Sequence, residues 1–134
     1  MTPVLVDSNV ILDIATNDPI WADWSGEALA RAADEAVLVI NPLIYAEVSI
    51  GYDRIETLET ALAETFRRDP LPWEAAFLAG KCFADYRRRG GDRRSPLPDF
   101  YIGAHAAVSG FRLLTRDTAR YRSYFPTVPL IHPT

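Results

Sequence analysis

The feature that most constrains the fold is a set of short, continuous apolar runs separated by segments with helical spacing. The runs cover residues 4–6, 37–40 and 113–115, with a weaker one at 128–131. Leucine and β-branched residues without polar alternation are typical of strands buried on both faces of a sheet. Residues 66–71 carry a fainter signal for a further strand. The pattern predicts a mostly parallel sheet.

Helical spacing fills the intervals between these runs. Asn41 followed by Pro42 predicts an N-cap and the first position of a helix over 42–51, and Pro98 predicts another helix that ends near Ser109. Apolar residues repeat at helical spacing in three further segments: Trp21, Trp24, Ala28 and Ala32; Ile55, Leu58, Leu62 and Phe66; and Trp73, Ala76, Phe77, Gly80, Phe83 and Ala84. Strands that alternate with helices predict an α/β fold, a three-layer α/β/α sandwich, and 134 residues suit a single domain over 1–134.

Composition narrows the class of protein. Apolar residues make up 49% and charged residues 24%, as in an ordinary globular domain. No apolar run approaches the ~20 residues that span a bilayer, and the start lacks the basic segment of a signal peptide. The lone Cys82 fits a reducing compartment. We therefore expect a cytoplasmic protein without a membrane partner. Its net charge of −4 argues against binding nucleic acid by bulk attraction alone.

Four acids fall near the ends of the predicted strands. Asp7 ends the first run, and Asp117 follows the run at 113–115 by two residues. Glu47 lies in the helix after the second run, and Asp99 opens the helix that leads into the third. Open parallel sheets bind ligands beyond the carboxyl ends of their strands. We expect the four carboxylates to converge at that edge.

Three of these acids have a structural alternative. Aspartate is a preferred N-cap residue, so Asp7, Asp99 and Asp117 could each simply cap a helix. Glu47 is harder to explain in this way, because it lies between Leu43 and Ile50 on an apparently apolar face. A buried glutamate needs a hydrogen-bond partner or a metal. Three other acids are interpreted as solvated helix or loop residues: Asp13, Asp18 and Asp23.

A cluster of carboxylates suits metal-dependent chemistry. Mg²⁺ is a hard cation that prefers oxygen ligands. One or two such ions can activate a water and stabilise the leaving oxygen of a phosphodiester, without a histidine base or a cysteine nucleophile. The sequence contains neither a G-x-S-x-G nucleophile elbow nor a Walker A loop. A phosphatase with a nucleophilic aspartate after the first strand would need a second aspartate at Asn9.

Four segments resemble, in order, the motifs of PIN-domain nucleases. They read VLVDSNVIL at 4–12, YAEV at 45–48, LPDFYIGAHA at 97–106 and LLTRD at 113–117, the last followed by YRSYFP at 121–126. Together they resemble the VapC toxins of bacterial toxin–antitoxin pairs over essentially the whole chain. The resemblance implies an endoribonuclease that needs Mg²⁺ or Mn²⁺, cleaves RNA, forms a homodimer and is neutralised by a cognate antitoxin.

Carried over to this sequence, the resemblance makes Asp7 and Asp99 the primary metal ligands, with Glu47 and Asp117 completing the cluster. Ser8, Asn9 and Thr115 either hydrogen-bond the site or only stabilise local turns. The alternative from a different class is a PIN-like module that has lost activity and acts through protein contacts.

The arginines after the longest predicted helix can be interpreted in two ways. The run at 87–89, with Arg93 and Arg94, either contacts an RNA backbone or solvates the end of a helix. Arg116 is a candidate for contact with the reacting phosphate, because it is next to Asp117. His105 lies in an apolar helix and is expected in the core.

Overall fold

A computed structural model describes residues 2–62, 64–91 and 97–134, over which the chain forms five strands and seven helices. The elements are β1 (Val4–Val6), α1 (Ser8–Ala15), α2 (Ala22–Glu35), β2 (Leu38–Ile40), α3 (Pro42–Ser49), α4 (Ile55–Leu62), β3 (Phe66–Arg68), α5 (Trp73–Arg88), α6 (Pro98–Ser109), β4 (Arg112–Leu114), α7 (Ala119–Tyr124) and β5 (Leu130–Ile131). Among the described helices, none combines the length and apolarity needed to cross a bilayer.

The five strands form one parallel sheet in the order β3-β2-β1-β4-β5. β1 lies at the centre, with Val4 beside Leu38 of β2 and Val6 beside Leu114 of β4. Val4, Leu5 and Val6 are fully buried, as continuous apolar runs require. The predicted parallel sheet is confirmed, and the fainter signal near 66–71 corresponds to β3.

The crossovers explain the three layers. Strands β1 to β3 step outward in one direction, whereas β4 and β5 extend the sheet on the other side of β1. Because parallel crossovers are right-handed, the two directions place their helices on opposite faces of the sheet. Accordingly α1 packs against α2 and α3, and α6 packs against α5 and α7. The predicted α/β/α sandwich is confirmed.

The two predicted helix starts are confirmed. The Asn41 side chain accepts a hydrogen bond from the backbone N–H of Ile44 at 2.9 Å, and Pro42 takes the first helical position of α3. α6 starts at Pro98 and ends at Ser109, and the following Gly110 has a φ of 70°, the left-handed conformation that favours glycine. These boundaries place Glu47 in α3 and Asp99 in the first turn of α6.

The buried faces of two helices differ from the expected ones. α3 buries Ile44 and Val48, which are four residues apart, whereas Ile50 lies beyond the helix and is 87% exposed. Glu47 therefore stands half-buried at the edge of the core instead of interrupting an apolar face. In α5 the core side is formed by Ala75 and Ala79.

The aromatic residues at the start of α5 lie outside the core. Trp73 is 88% exposed and Phe77 is 67% exposed. The predicted apolar face of α5 was defined mainly by large side chains. In the structure the alanines face the core, because their small side chains let α5 pack closely against the rest of the fold. Phe66 is a second correction, because it opens β3 and does not continue α4.

Candidate active site

The candidate site lies at the carboxyl edge of the sheet. Strands β2, β1 and β4 are neighbours, so the residues that follow them (Asn41, Asp7 and Thr115) meet at one edge. The chain leaves β1 toward β2 but reaches β4 from the opposite face, which makes this the point where the strand order reverses. Ligands in open parallel sheets bind at such a reversal.

Asp7 is buried and its carboxylate is held by several donors. Only 3% of the residue is exposed. Its Oδ1 accepts from the backbone N–H of Ser8 at 2.8 Å, and its Oδ2 accepts from Thr115 Oγ1 at 2.9 Å and from the Tyr121 hydroxyl at 2.8 Å. Asn9 Nδ2 lies 3.4 Å from the same Oδ2. Asp7 is also the N-cap of α1, so it serves as a cap and a cluster member together.

Tyr121 connects Asp7 to the third acid. Its hydroxyl lies 3.4 Å from Asp99 Oδ1 as well as 2.8 Å from Asp7 Oδ2, and the residue is only 1% exposed. Asp99 itself sits in the first turn of α6, where Leu97 is the N-cap. The capping interpretation of Asp99 is therefore wrong, and its side chain faces Asp7.

The remaining two acids border this pair. Ser8 Oγ donates to Glu47 Oε1 at 2.9 Å, so Ser8 contacts both Glu47 and Asp7. Asp117 is exposed, and its backbone N–H donates to Thr115 Oγ1 at 3.1 Å. Because Thr118 is the N-cap of α7, the capping interpretation of Asp117 is also wrong.

The acids repel one another electrostatically. Burial raises the pKa of Asp7, with a further contribution from the charge of Asp117. Burial, followed by the charge of Asp7, raises the pKa of Asp99, although Arg120 opposes it. Burial also raises the pKa of Glu47, and the charges of Asp7 and Asp99 add to this. Keeping these groups ionised together is unfavourable unless a cation compensates them.

The donor set suits a hard divalent cation, since every candidate ligand is a carboxylate oxygen. The carboxylates do not form a closed cage, however. Within the described parts of the chain, no group of three histidine, cysteine or acidic residues has metal-holding geometry. The acids would have to move closer together to share an ion. Of the four, Asp117 is exposed, and Asp99 and Glu47 are half-buried.

Asp13 and Arg116 form a structural pair that sequence reasoning did not predict. Asp13 is 3% exposed, and Arg116 donates to it from Nε at 2.8 Å and from an Nη at 3.1 Å. Ser25 Oγ also donates to Asp13 at 2.8 Å. The interpretation of Asp13 as solvated is wrong. Its position within the apolar residues 10–14 was the available signal, because a buried acid needs partners.

The arginine run at 87–89 lies at the C-terminal end of α5. Arg88 and Arg89 are exposed and form ion pairs with Asp85. Arg93 and Arg94 lie outside the described residues.

The core prediction for His105 is confirmed, since it is 1% exposed and its Nδ1 lies 2.9 Å from Asn41 Nδ2.

Sequence reasoning missed Tyr121 and Arg120 as members of the site. A signal existed for Tyr121: it shares a helical face with the apolar Phe125, and a buried tyrosine hydroxyl needs a partner. Arg120 had no such signal, because its environment is created by two other helices.

Comparison with known families decides the classification. The PIN domain family matches residues 4–125. The chain belongs to the PIN domain family. Solved structures with the same fold as this PIN domain include VapBC2 from Rickettsia felis bound to a DNA fragment from their promoter, with a TM-score of 0.73 and 16% identity over 97% of this chain and 98% of that chain.

Two further solved structures share this fold. A toxin–antitoxin complex from Klebsiella pneumoniae has a TM-score of 0.71 and 22% identity over 98% of both chains. FitAcB from Neisseria gonorrhoeae has a TM-score of 0.67 and 20% identity over 96% of both chains. A search of curated protein sequences found no match. At these identities the structural likeness establishes the PIN fold.

Proposed function

We propose that this PIN-domain protein is a divalent-metal-dependent endoribonuclease and the toxin of a toxin–antitoxin pair. The supporting observation is the linkage of acids at one sheet edge. Tyr121 lies between Asp7 and Asp99, and Ser8 contacts both Asp7 and Glu47. The toxin–antitoxin assemblies among the structural matches support the biological role.

In this proposal, Asp7, Glu47, Asp99 and Asp117 hold Mg²⁺, for which Mn²⁺ can substitute. A bound divalent ion supplies water activation and stabilises the leaving oxygen of an in-line displacement. Thr115 and Tyr121 orient the Asp7 carboxylate, and Ser8 orients Glu47. Charge neutralisation at the acids would let a locally negative site accept an anionic RNA backbone.

The family resemblance extends the proposal to partners. We propose a cytoplasmic homodimer whose activity a cognate antitoxin suppresses. Co-expression with a cognate antitoxin, followed by size-exclusion chromatography with light scattering, tests both points. With the antitoxin, a stable complex is expected. Without it, the protein should have the mass of two copies.

The decisive experiment is cleavage of total bacterial RNA by the purified protein with Mg²⁺ or Mn²⁺. Asp7→Asn is the test variant, EDTA is the chemical control, and Asp34→Asn is the matched variant because Asp34 is an exposed acid on α2. Discrete fragments should appear with the parent protein and with Asp34→Asn, and should vanish with EDTA and with Asp7→Asn.

Loss of metal dependence would contradict the proposal. Fragments that persist in EDTA, or with Asp7→Asn, would indicate a contaminating nuclease or another site. Absence of cleavage together with absence of any Mn²⁺-dependent rise in melting temperature would favour the inactive protein-binding module.

A further inference from the structure

A cleft adjoins the outer side of the acid cluster, between α5, α6 and α7. It has a volume of about 330 Å³ and is lined by Tyr86, Asp99, Asp117, Ala119, Arg120, Ser123 and Tyr124. We call it the outer cleft. Two of its lining residues are proposed metal ligands, so any molecule in the outer cleft lies directly beside the proposed reaction centre.

Arg120 is held in the outer cleft by two aromatic rings. Its guanidinium carbon lies 5.4 Å from the ring centroid of Tyr86 and 5.4 Å from that of Phe100. Cations favour such positions over aromatic faces. The rings come from α5 and α6, whereas Arg120 comes from α7. The side chain is thus positioned by packing, while 30% of it stays exposed to the cleft.

The hydrogen-bonding capacity of Arg120 is largely unused. Its nearest acid is Asp99, at 3.8 Å from Nη1 to Oδ2, which is an ion-pair distance too long for a hydrogen bond. Among the residues that the structure describes, the guanidinium forms no hydrogen bond. Arginine has five N–H donors in a planar fork that matches the oxygens of a phosphate. A cation on Asp99 would also weaken the pairing of Asp99 with Arg120.

We propose that Arg120 binds a phosphate of single-stranded RNA next to the scissile bond, and that the outer cleft holds the adjoining nucleotide. The proposal rests on the proposed ribonuclease function and specifies how its substrate is held. Tyr86 and Tyr124 are half-buried and line the same cleft, with ring centroids 6.5 Å apart. A second arginine, Arg89, lies over the Tyr124 ring at 5.0 Å, so the cleft pairs each tyrosine with an arginine. Single-stranded RNA is recognised by this combination of arginine contacts and aromatic stacking.

Arg120→Gln is the test variant, with Arg122→Gln as its matched control. Arg122 lies on the same helix, but it is exposed and its guanidinium faces His132 at 3.0 Å. With a short RNA that the parent protein cleaves, Arg120→Gln should raise KM about 10-fold or more, because it removes hydrogen bonds to a charged phosphate. The kcat should change much less, and Arg122→Gln should match the parent protein.

Salt dependence separates a phosphate contact from a general structural effect. Loss of one phosphate contact should reduce the slope of log(kcat/KM) against log salt concentration by about 0.7 for single-stranded RNA. Arg120→Lys keeps the charge but not the planar fork, so it should retain the slope while losing part of the affinity. Mn²⁺ affinity measured by electron paramagnetic resonance should be unchanged or tighter in Arg120→Gln.

Unchanged KM and salt slope in Arg120→Gln, or weakened Mn²⁺ binding, would overturn the proposal. A direct binding measurement tests the role of Arg120 independently of whether the protein cleaves RNA. The Nε–Hε signals of ¹⁵N-labelled protein should show a shift for Arg120 when a single-stranded oligoribonucleotide is added with Mg²⁺.

If the parent protein cleaves no RNA but the Arg120 signal shifts, the cleft proposal is supported and the nuclease proposal fails. If RNA leaves the signal unmoved while a purified antitoxin shifts it, the outer cleft is a protein contact and the RNA proposal is overturned.

Discussion

The two sides of the acid cluster differ in how firmly they are held. On the inner side, Asp7 is 3% exposed and accepts short hydrogen bonds from Ser8, Thr115 and Tyr121. On the outer side, Asp117 is exposed, and the polar contacts of Asp99 with the described residues are longer, at 3.4 Å to Tyr121 and 3.8 Å to Arg120. The inner carboxylate is therefore oriented before any ligand binds, whereas the outer carboxylates can still adjust.

Two nearby arginines repeat this contrast. Arg116 is committed to buried Asp13 through two hydrogen bonds. Arg120, four residues later, lies over two aromatic rings and lines the outer cleft. Two arginines four positions apart thus have different environments: Arg116 stabilises the segment between β4 and α7 through Asp13, and Arg120 is the residue that we propose contacts the substrate.

The largest expected effect is the loss of cleavage on changing the inner acid. Asp7→Asn should reduce the cleavage rate by more than about 100-fold. Removing a residue that only orients a metal ligand can cost about 100-fold, and losing the ligand itself should cost more. Asp117→Asn should reduce it less, because the exposed Asp117 is the least constrained of the four acids. Single-turnover cleavage at saturating Mn²⁺ measures both. Equal losses would remove the distinction between inner and outer acids.

A smaller effect is expected when the support of Asp7 is removed. Tyr121→Phe deletes one hydroxyl and should weaken Mn²⁺ binding by about 10- to 100-fold, because partners that orient a metal ligand contribute that much to affinity. Tyr124→Phe is the matched control on the same helix. Titration followed by electron paramagnetic resonance provides the dissociation constants. Identical constants for the two variants would mean that Tyr121 is only a packing residue.

The arginine contrast predicts a difference in folding stability. Arg116→Gln leaves buried Asp13 poorly paired and should lower the free energy of unfolding by about 2 kcal/mol, less than for a fully buried pair because Arg116 is partly exposed. Arg120→Gln should change it by only about 0.5 kcal/mol. Urea unfolding of both metal-free variants checks this. A stability loss in Arg120→Gln matching that in Arg116→Gln would make Arg120 a structural residue too.

The smallest expected effect is a gain in stability at an outer acid. Because burial and the charge of Asp7 raise the pKa of Asp99, its ionised form is disfavoured in the folded chain. Asp99→Asn should therefore raise the metal-free Tm by a few degrees near neutral pH. The gain should shrink as pH falls toward about 4, where the unfolded chain also becomes protonated.

Thermal melts between these pH values measure the effect, with Asp34→Asn as the control for removing an exposed acid. A pH-independent gain, or a loss of stability at neutral pH, would contradict the electrostatic explanation of the Asp99 shift.

The local structure of this protein could be read from short sequence patterns. Continuous apolar runs identify the buried strands, and Asn41 with Pro42 identifies the start of α3, because burial and backbone geometry at these positions depend on nearby residues. The sequence patterns were less successful in predicting which face of a helix is buried. Trp73 and Phe77 are exposed because packing distance between elements, and not side-chain size alone, decides which residues of α5 enter the core.

The sequence by itself determined that buried strands alternate with helices and that four acids lie beside predicted strand ends. Only the tertiary structure decided which polar groups meet: Tyr121 contacts Asp7 across 114 positions, and Arg116 contacts Asp13 across 103. The physical reason is the strand order. Local patterns specify that a segment is a buried strand, but the crossovers place β4 beside β1, and that pairing brings the residues after β4 to Asp7 and the start of α1.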